Sequence, residues 1–365
     1  MPDERIRYVS RVWEPRLVAN GVDPSDYRRV VDGLETWEQW YAAWMELARA
    51  HERLGRDAEA GGLGVTAGEA YYRAAIAYHF AVFSWTENLD EYTRGHERCV
   101  DCYRRALPWL EPPAERVEFP LETVRIPAYL RRPRLPWASP APAGRRPEGG
   151  GRPPVVLFLS GLDSVKEEHA TFERFFLRRG LATLTLDGPG QGETWYRMKM
   201  RVDWEVTATA AIDYLLGRDD LDGSRVGVCG VSLGGYLAPR CAAFEPRLRA
   251  VVSCGGLHSL EEGRLHGGLH LGRWLHVWGA HDQADLAARS RGATLADCAG
   301  RIQAPLLVVH GAQDTLIPPD DAYRTYERAA GPKRWVLFPD GNHVCNNITY
   351  KYRPLVADFM AEQLR

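Results

Sequence analysis

The chain predicts a mostly parallel α/β sheet covered by helices on both faces, preceded by an all-helical domain. Three observations lead there. From Val155 onward, short apolar β-runs alternate with helical patterns. Before about residue 113 the apolar period is helical. Pro108 and Pro112-Pro113 punctuate the change between the two regions.

A chain of 365 residues is long enough for a large core and for more than one module. The formal net charge of -2 supplies no electrostatic attraction for nucleic acid or an anionic membrane. No apolar run is long enough for a membrane-spanning helix. The charged start Met1-Pro2-Asp3-Glu4-Arg5 lacks the apolar core of a signal peptide, so a cytoplasmic protein is expected. The seven cysteines are an odd number without framework spacing. Cys99 and Cys102 form a C-x-x-C inside a helical pattern with no second pair to complete a zinc site, which favours ordinary reduced thiols.

Residues 1–113 form the expected helical domain. Trp37, Trp40, Tyr41, Trp44 and Leu47 recur at helical spacing and build one face of a helix from Glu35 to Ala48. Thr66-Ala67-Gly68-Glu69 has the capping-box pattern and should open a helix at Ala70. A further helix is expected from Leu89 to Leu107. No fixed period recurs, which argues against a repeat array. The aromatic stripe reads as bundle core; the alternative is that some of these rings line a substrate pocket under a cap.

Residues 114–365 form the second domain. Arg116 to Pro120 and Val124 to Leu130 read as an antiparallel strand pair. The Pro-, Gly- and Arg-rich segment 133–154 is a surface loop. Strands follow at Val155–Leu159, Leu181–Leu186, Ser224–Cys229, Leu248–Ser253, Pro305–His310 and Trp335–Phe338. Helices are expected at Lys166–Arg179, Trp204–Leu216, after the third of these strands, and at Tyr350–Leu364. In such a sheet, sites form at the carboxyl ends of the strands.

One of those ends carries Gly230-Val231-Ser232-Leu233-Gly234, the G-x-S-x-G of a nucleophile elbow, framed by a strand and a helix. Asp314 follows the strand ending at His310, and His343 follows the strand ending at Phe338. Taken singly, Asp314 could be a turn aspartate bonding its own backbone and His343 a loop histidine. Together, Ser232, Asp314 and His343 stand in the chain order of the α/β-hydrolase fold, each after a separate strand. Asp320, Asp321 and Asp340 compete for the acid's place, but Asp314 is nearest a strand end. In this reading His343 takes the Ser232 proton, Ser232 attacks a carbonyl, and Asp314 holds the imidazolium. The oxyanion donors should be the N–H of Leu233 and one from Ser160-Gly161-Leu162-Asp163: Leu162, or alternatively Gly161. Asp163, in that loop, is a candidate substrate contact.

Two other features are decoys. Asp187-Gly188-Pro189-Gly190-Gln191-Gly192 looks like a phosphate loop, but no Lys-Ser/Thr follows and no helix starts at once, so packing beside the site is expected of it. His258, His266, His270, His276 and His281 crowd one segment, with His266 and His270 one helical turn apart. No H-E-x-x-H or added ligand set accompanies them, so neither a metal nor a cofactor is expected. Residues 256–300 read as an excursion beside the active site.

Longer stretches carry a family likeness. They are Ala67-Gly68-Glu69-Ala70-Tyr71, Tyr78-His79-Phe80, Cys102-Tyr103-Arg104-Arg105-Ala106-Leu107, Gly161-Leu162-Asp163-Ser164-x-Lys166-Glu167-Glu168, Asp187 to Glu193, the elbow, Gly311-x-x-Asp314 and His343. With these the chain resembles the α/β-hydrolase group that includes 2,6-dihydroxypseudooxynicotine hydrolase, fungal pigment-pathway hydrolases that shorten polyketides, and the fermentation-respiration switch protein. The resemblance implies a helical cap over the active site, often a homodimer, and an added acid after the sixth core strand. Glu262 or Glu261 would fill that place, the alternative for both being a solvated helix face.

The expected function is a serine hydrolase cleaving a carbon–carbon bond beside a ketone, or an ester, thioester or lactone, in a bulky aromatic or polyketide-like small molecule. The alternatives are a non-hydrolytic cyclase, dehydratase or acyltransferase, and a silent binding protein on the same fold.

Overall fold

In a computed structural model, residues 3–134, 151–262 and 270–365 are described. The chain divides into two compact units, Met1–Arg116 with Glu167–Phe172, and Val117–Lys166 with Glu173–Arg365. The short segment Glu167–Phe172, expected in the second domain, therefore clusters with the first.

The first unit is helical: α1 Glu4–Ala19, α2 Pro24–Val31, α3 Gln39–Ala60, α4 Gly64–Val82 and α5 Leu89–Ala106. Asp3, Asp23 and Asn88 cap α1, α2 and α5 with side-chain oxygens. Two sequence expectations shift. Helix α3 starts at Gln39, so Trp37 lies ahead of it, stacked on Trp40 with ring centroids 5.1 Å apart. Helix α4 starts at Gly64, not Ala70, and no side chain caps it. The Thr66 box is overridden because α4 is buried along most of its length, and that packing outweighs one local cap. Trp37, Trp40 and Trp44 are buried within the unit, and Trp40 Nε1 donates to Phe80 O at 2.9 Å.

Glu168 is buried in this unit. Its carboxylate accepts from Arg16 Nε and Arg16 Nη2, each at 2.7 Å, from Asn20 Nδ2 at 2.7 Å, and faces His79 Nε2 at 3.0 Å. Burial alone would raise the carboxyl. The charges and hydrogen bonds of Arg16 and His79 instead hold it well below the usual carboxylate range.

The second unit is built on an eight-stranded sheet of order β1-β2-β4-β3-β5-β6-β7-β8 among the described residues. The strands are β1 Ala114–Leu121, β2 Val124–Arg131, β3 Pro154–Leu159, β4 Ala182–Leu186, β5 Asp222–Val231, β6 Leu248–Cys254, β7 Leu306–Gly311 and β8 Lys333–Phe338. Strand β2 pairs antiparallel with β4, and every pairing from β4 to β8 is parallel. The helices are α6 Ala170–Leu177, which spans the two units, α7 Val206–Leu216, α8 Leu233–Phe244, α9 Leu271–Trp278, α10 Gln283–Arg289, α11 Pro319–Arg328 and α12 Thr349–Gln363. The central strands β3 to β7 are almost wholly buried, as their continuous apolar runs require of a sheet covered on both faces. Helix α11 was not marked by the sequence; its first turn offers Asp320 and Asp321 to the helix dipole. Most of the loop 133–154, and His266, lie outside the described residues. All seven cysteines are buried and unbridged. No helix among the described residues is long and apolar enough to cross a membrane.

Candidate active site

Three loops at the carboxyl ends of β5, β7 and β8 bring Ser232, Asp314 and His343 together. Ser232 sits between β5 and α8 with φ 56° and ψ −116°, a strained backbone for a serine. Close packing holds it there. A Cβ at Gly230 would lie 1.9 Å from Gly234 O, and one at Gly234 would lie 2.1 Å from Leu159 O. Only glycine fits at either place. The Ser232 N–H donates to Cys254 O at 2.8 Å, tying the turn to β6.

His343 Nε2 lies 3.0 Å from Ser232 Oγ, and His343 Nδ1 lies 2.8 Å from Asp314 Oδ2. With the Nδ1 proton on the carboxylate side, Nε2 is free to accept from the serine hydroxyl. The loop beyond the histidine is strained too, with Val344 at φ 57° and Cys345 at φ 55°. Asp314 Oδ1 accepts from the N–H groups of Leu316 and Ile317, each at 2.9 Å. His310 Nε2 stands 3.3 Å from Asp314 Oδ2. Burial would raise the Asp314 carboxyl, but His343, His310 and the Ile317 N–H outweigh it and hold it well below the carboxylate range. Asp314 is therefore a fixed anion aimed at the imidazole.

The competing acids are engaged elsewhere. Asp321 pairs with Arg324 at 3.4 Å and accepts from the His258 N–H, and Asp340 pairs with Lys351 at 2.5 Å. Asp320 falls in the first turn of α11.

The loop after β3 reaches Ser232. A Cβ on Gly161 would stand 3.4 Å from Ser232 Cβ. Leu162 follows directly, and Leu233 opens α8 with its side chain buried. Asp163 lies within electrostatic reach of His270. Burial lowers the His270 imidazole, Asp163 opposes that, and His343 adds to it. The acids expected after β6 pair elsewhere among the described residues. Glu262 pairs with Arg324 at 2.6 Å, and Glu261 Oε2 accepts from the Gly292 N–H at 3.0 Å; both are exposed.

Two of the described histidines of this segment have separate neighbours. His258 is buried with Nδ1 2.8 Å from Thr325 Oγ1, and His276 stacks on Trp195 with ring centroids 3.9 Å apart. Burial, aided by Arg324 and Arg328, pushes the His258 imidazole down to about 4.

Sequence reasoning read the Asp187 loop as packing alone and missed how it is held. Lys166 Nζ lies 2.8 Å from Asp187 Oδ2 and 2.6 Å from Glu193 Oε2, while the Lys166 N–H donates to Asp187 Oδ1 at 2.9 Å. In return, Gln191 Nε2 donates to Ser160 O at 2.9 Å and to Gly161 O at 3.2 Å. The loops after β3 and β4 are thus clamped in both directions. The signal was a lysine and an aspartate, each just past a buried parallel strand, but their pairing depends on tertiary structure.

A family model described as prolyl oligopeptidase family matches residues 169–365, and one described as esterase FrsA-like matches residues 30–261. The chain belongs to the α/β-hydrolases of this group. This hydrolase is 33% identical over 352 residues to the 2,6-dihydropseudooxynicotine hydrolase of Paenarthrobacter nicotinovorans, covering 96% of the chain and 91% of that protein. The crystal structure of 2,6-dihydroxy-pseudo-oxynicotine hydrolase matches it with a TM-score of 0.85 at 32% identity, over 96% of this chain and 95% of that one. The 20-hydroxy-prefusarin hydrolase of Gibberella moniliformis is 33% identical over 229 residues, covering 60% of this hydrolase but only 52% of the fungal protein.

Proposed function

We propose that this hydrolase cleaves a bond beside a carbonyl carbon by nucleophilic catalysis at Ser232. The observation that carries the reading is the unbroken chain from Ser232 Oγ through His343 to Asp314, at 3.0 Å and 2.8 Å. His343 accepts the serine proton as Oγ adds to the carbonyl. The N–H of Leu233, with that of Leu162 or Gly161, receives the oxyanion. Collapse expels the leaving group, which takes the proton from His343. Water then attacks the acyl-enzyme, giving its proton to His343; the carbon–Oγ bond breaks, Ser232 takes that proton back from His343, and an acid is released.

The substrate class we propose is a bulky aromatic or polyketide-like ketone whose departing carbon is stabilised as an enolate or electron-rich ring, or an ester of such a molecule. The names of two relatives, a hydrolase of 2,6-dihydropseudooxynicotine and one of 20-hydroxy-prefusarin, support that class.

The test compares the native chain with Ser232→Ala by intact mass after a fluorophosphonate, and by product mass with aryl esters and aryl 1,3-diketones. A single adduct on the native chain, none on the variant, and products that gain one water support the reading. Near-normal turnover by folded Ser232→Ala rejects it. The diketone and ester arms distinguish carbon–carbon from ester cleavage.

A further inference from the structure

We infer that Gln191 is a positioning residue for the oxyanion hole, acting through the carbonyls of Ser160 and Gly161. This deepens the serine-hydrolase reading and rests on it. The Gln191 side chain is buried, and its amide nitrogen bridges two consecutive carbonyl oxygens, Ser160 O at 2.9 Å and Gly161 O at 3.2 Å. Only the nitrogen end of the amide can face two carbonyls; an oxygen there would repel both.

A trans peptide is planar, so its N–H points opposite to its C=O. The Ser160 carbonyl shares a peptide plane with the Gly161 N–H, and the Gly161 carbonyl shares one with the Leu162 N–H. By holding the two carbonyls, Gln191 fixes the direction of both N–H groups proposed to receive the oxyanion. A donor on the carbonyl oxygen also polarises the amide and strengthens its N–H as a donor. Arg273 Nε does the same to Leu162 O at 3.3 Å, so three successive carbonyls of this loop are each met by a side-chain donor.

The geometry also says why glutamine suits the place. The side chain must donate without charge, since the Gln191 Oε1 atom is buried with no hydrogen-bond partner among the described residues. The backbone of Gln191 is fixed independently, its N–H donating to Gly188 O and its carbonyl accepting from the Trp195 N–H, each at 3.0 Å. The side chain can therefore be changed without freeing the loop.

The experiment uses the full chain, p-nitrophenyl acetate as substrate and an aryl trifluoromethyl ketone as a tetrahedral adduct former. Gln191→Met removes the donor at similar volume. It should lower kcat by about 10- to 1,000-fold and weaken the trifluoromethyl ketone by a similar factor, leaving KM within about threefold. Gln191→Glu supplies a second readout. Its protonated carboxyl can donate to a carbonyl and its carboxylate cannot. The ratio of its kcat to that of the native chain should therefore rise as the pH is lowered. Native kcat in Gln191→Met, a loss confined to KM, or a pH-independent ratio in Gln191→Glu would each overturn the inference. If Gln191→Met fails to fold, the Gln191→Glu ratio decides alone. Ser232→Ala, run in parallel, separates the two failures: full activity there rejects the serine reading itself, whereas an inactive Ser232→Ala beside a fully active Gln191→Met rejects only the role of Gln191.

Discussion

Lys166 Nζ stands 2.8 Å from Asp187 Oδ2, and neither side chain reaches solvent. A buried ion pair of this kind is costly to break from one side, because the remaining charge has no water to turn to. It joins the loop after β3, which approaches Ser232, to the loop after β4.

Lys166→Met is therefore expected to lower unfolding free energy by about 3–5 kcal/mol. The double variant Lys166→Met/Asp187→Leu should lose less than the sum of the two single variants. Urea denaturation of the four proteins measures this. A single-variant loss near zero would mean that the pair does not hold the loops.

Asp314→Asn keeps the shape of the acid and removes its charge. Its kcat on an aryl ester should fall by about 1,000- to 10,000-fold, because the imidazolium loses its partner and the favoured tautomer changes. KM should change little, and circular dichroism should match the native chain. Wild-type turnover in this variant would move the acid's role to another residue.

Glu168→Ala removes the buried carboxylate that Arg16 and His79 share. The expected cost is about 3–5 kcal/mol, read from guanidinium denaturation. Replacing Arg16 and Glu168 together by apolar residues should recover much of it. A double variant no more stable than Glu168→Ala would contradict this account.

His258 gives stability a pH dependence whose sign can be worked out. Its folded-state pKa is pushed down to about 4, against roughly 6.5 for an unfolded histidine. Between those values the unfolded chain binds the extra proton, so this contribution is intact above about pH 6.5 and is lost as pH falls toward about 4. His258→Gln should flatten the slope of unfolding free energy in that interval. An unchanged slope would assign the dependence to other groups.

Much of this was legible in the chain because strand ends are easy to find. Ser232 and Asp314 lie at or just past buried parallel strands, where a turn residue has few directions in which to point, and His343 follows the half-exposed edge strand β8. The comparison with known hydrolases agrees with the fold class read from alternating strands and helices. What was not legible depends on distant partners. Thr66 has the local pattern of a cap, yet the burial of α4 sets its start. Glu261 and Glu262 stand where the resemblance implies an acid, but their contacts with Gly292 and Arg324 are set by residues about thirty and sixty positions away. Gln191 sits among glycines in what reads as a packing loop, and nothing local tells that its amide spans two carbonyls.

The seven buried thiols have a practical consequence. A bulky aromatic disulfide should find none of them in the native protein, so any colour it releases measures opening. Cys99 and Cys102 report on the helical unit, and Cys229, Cys241, Cys254, Cys298 and Cys345 on the sheet unit. The chain thus carries its own clocks in both units, readable without a label, and the order in which they start to run would show which part loosens first.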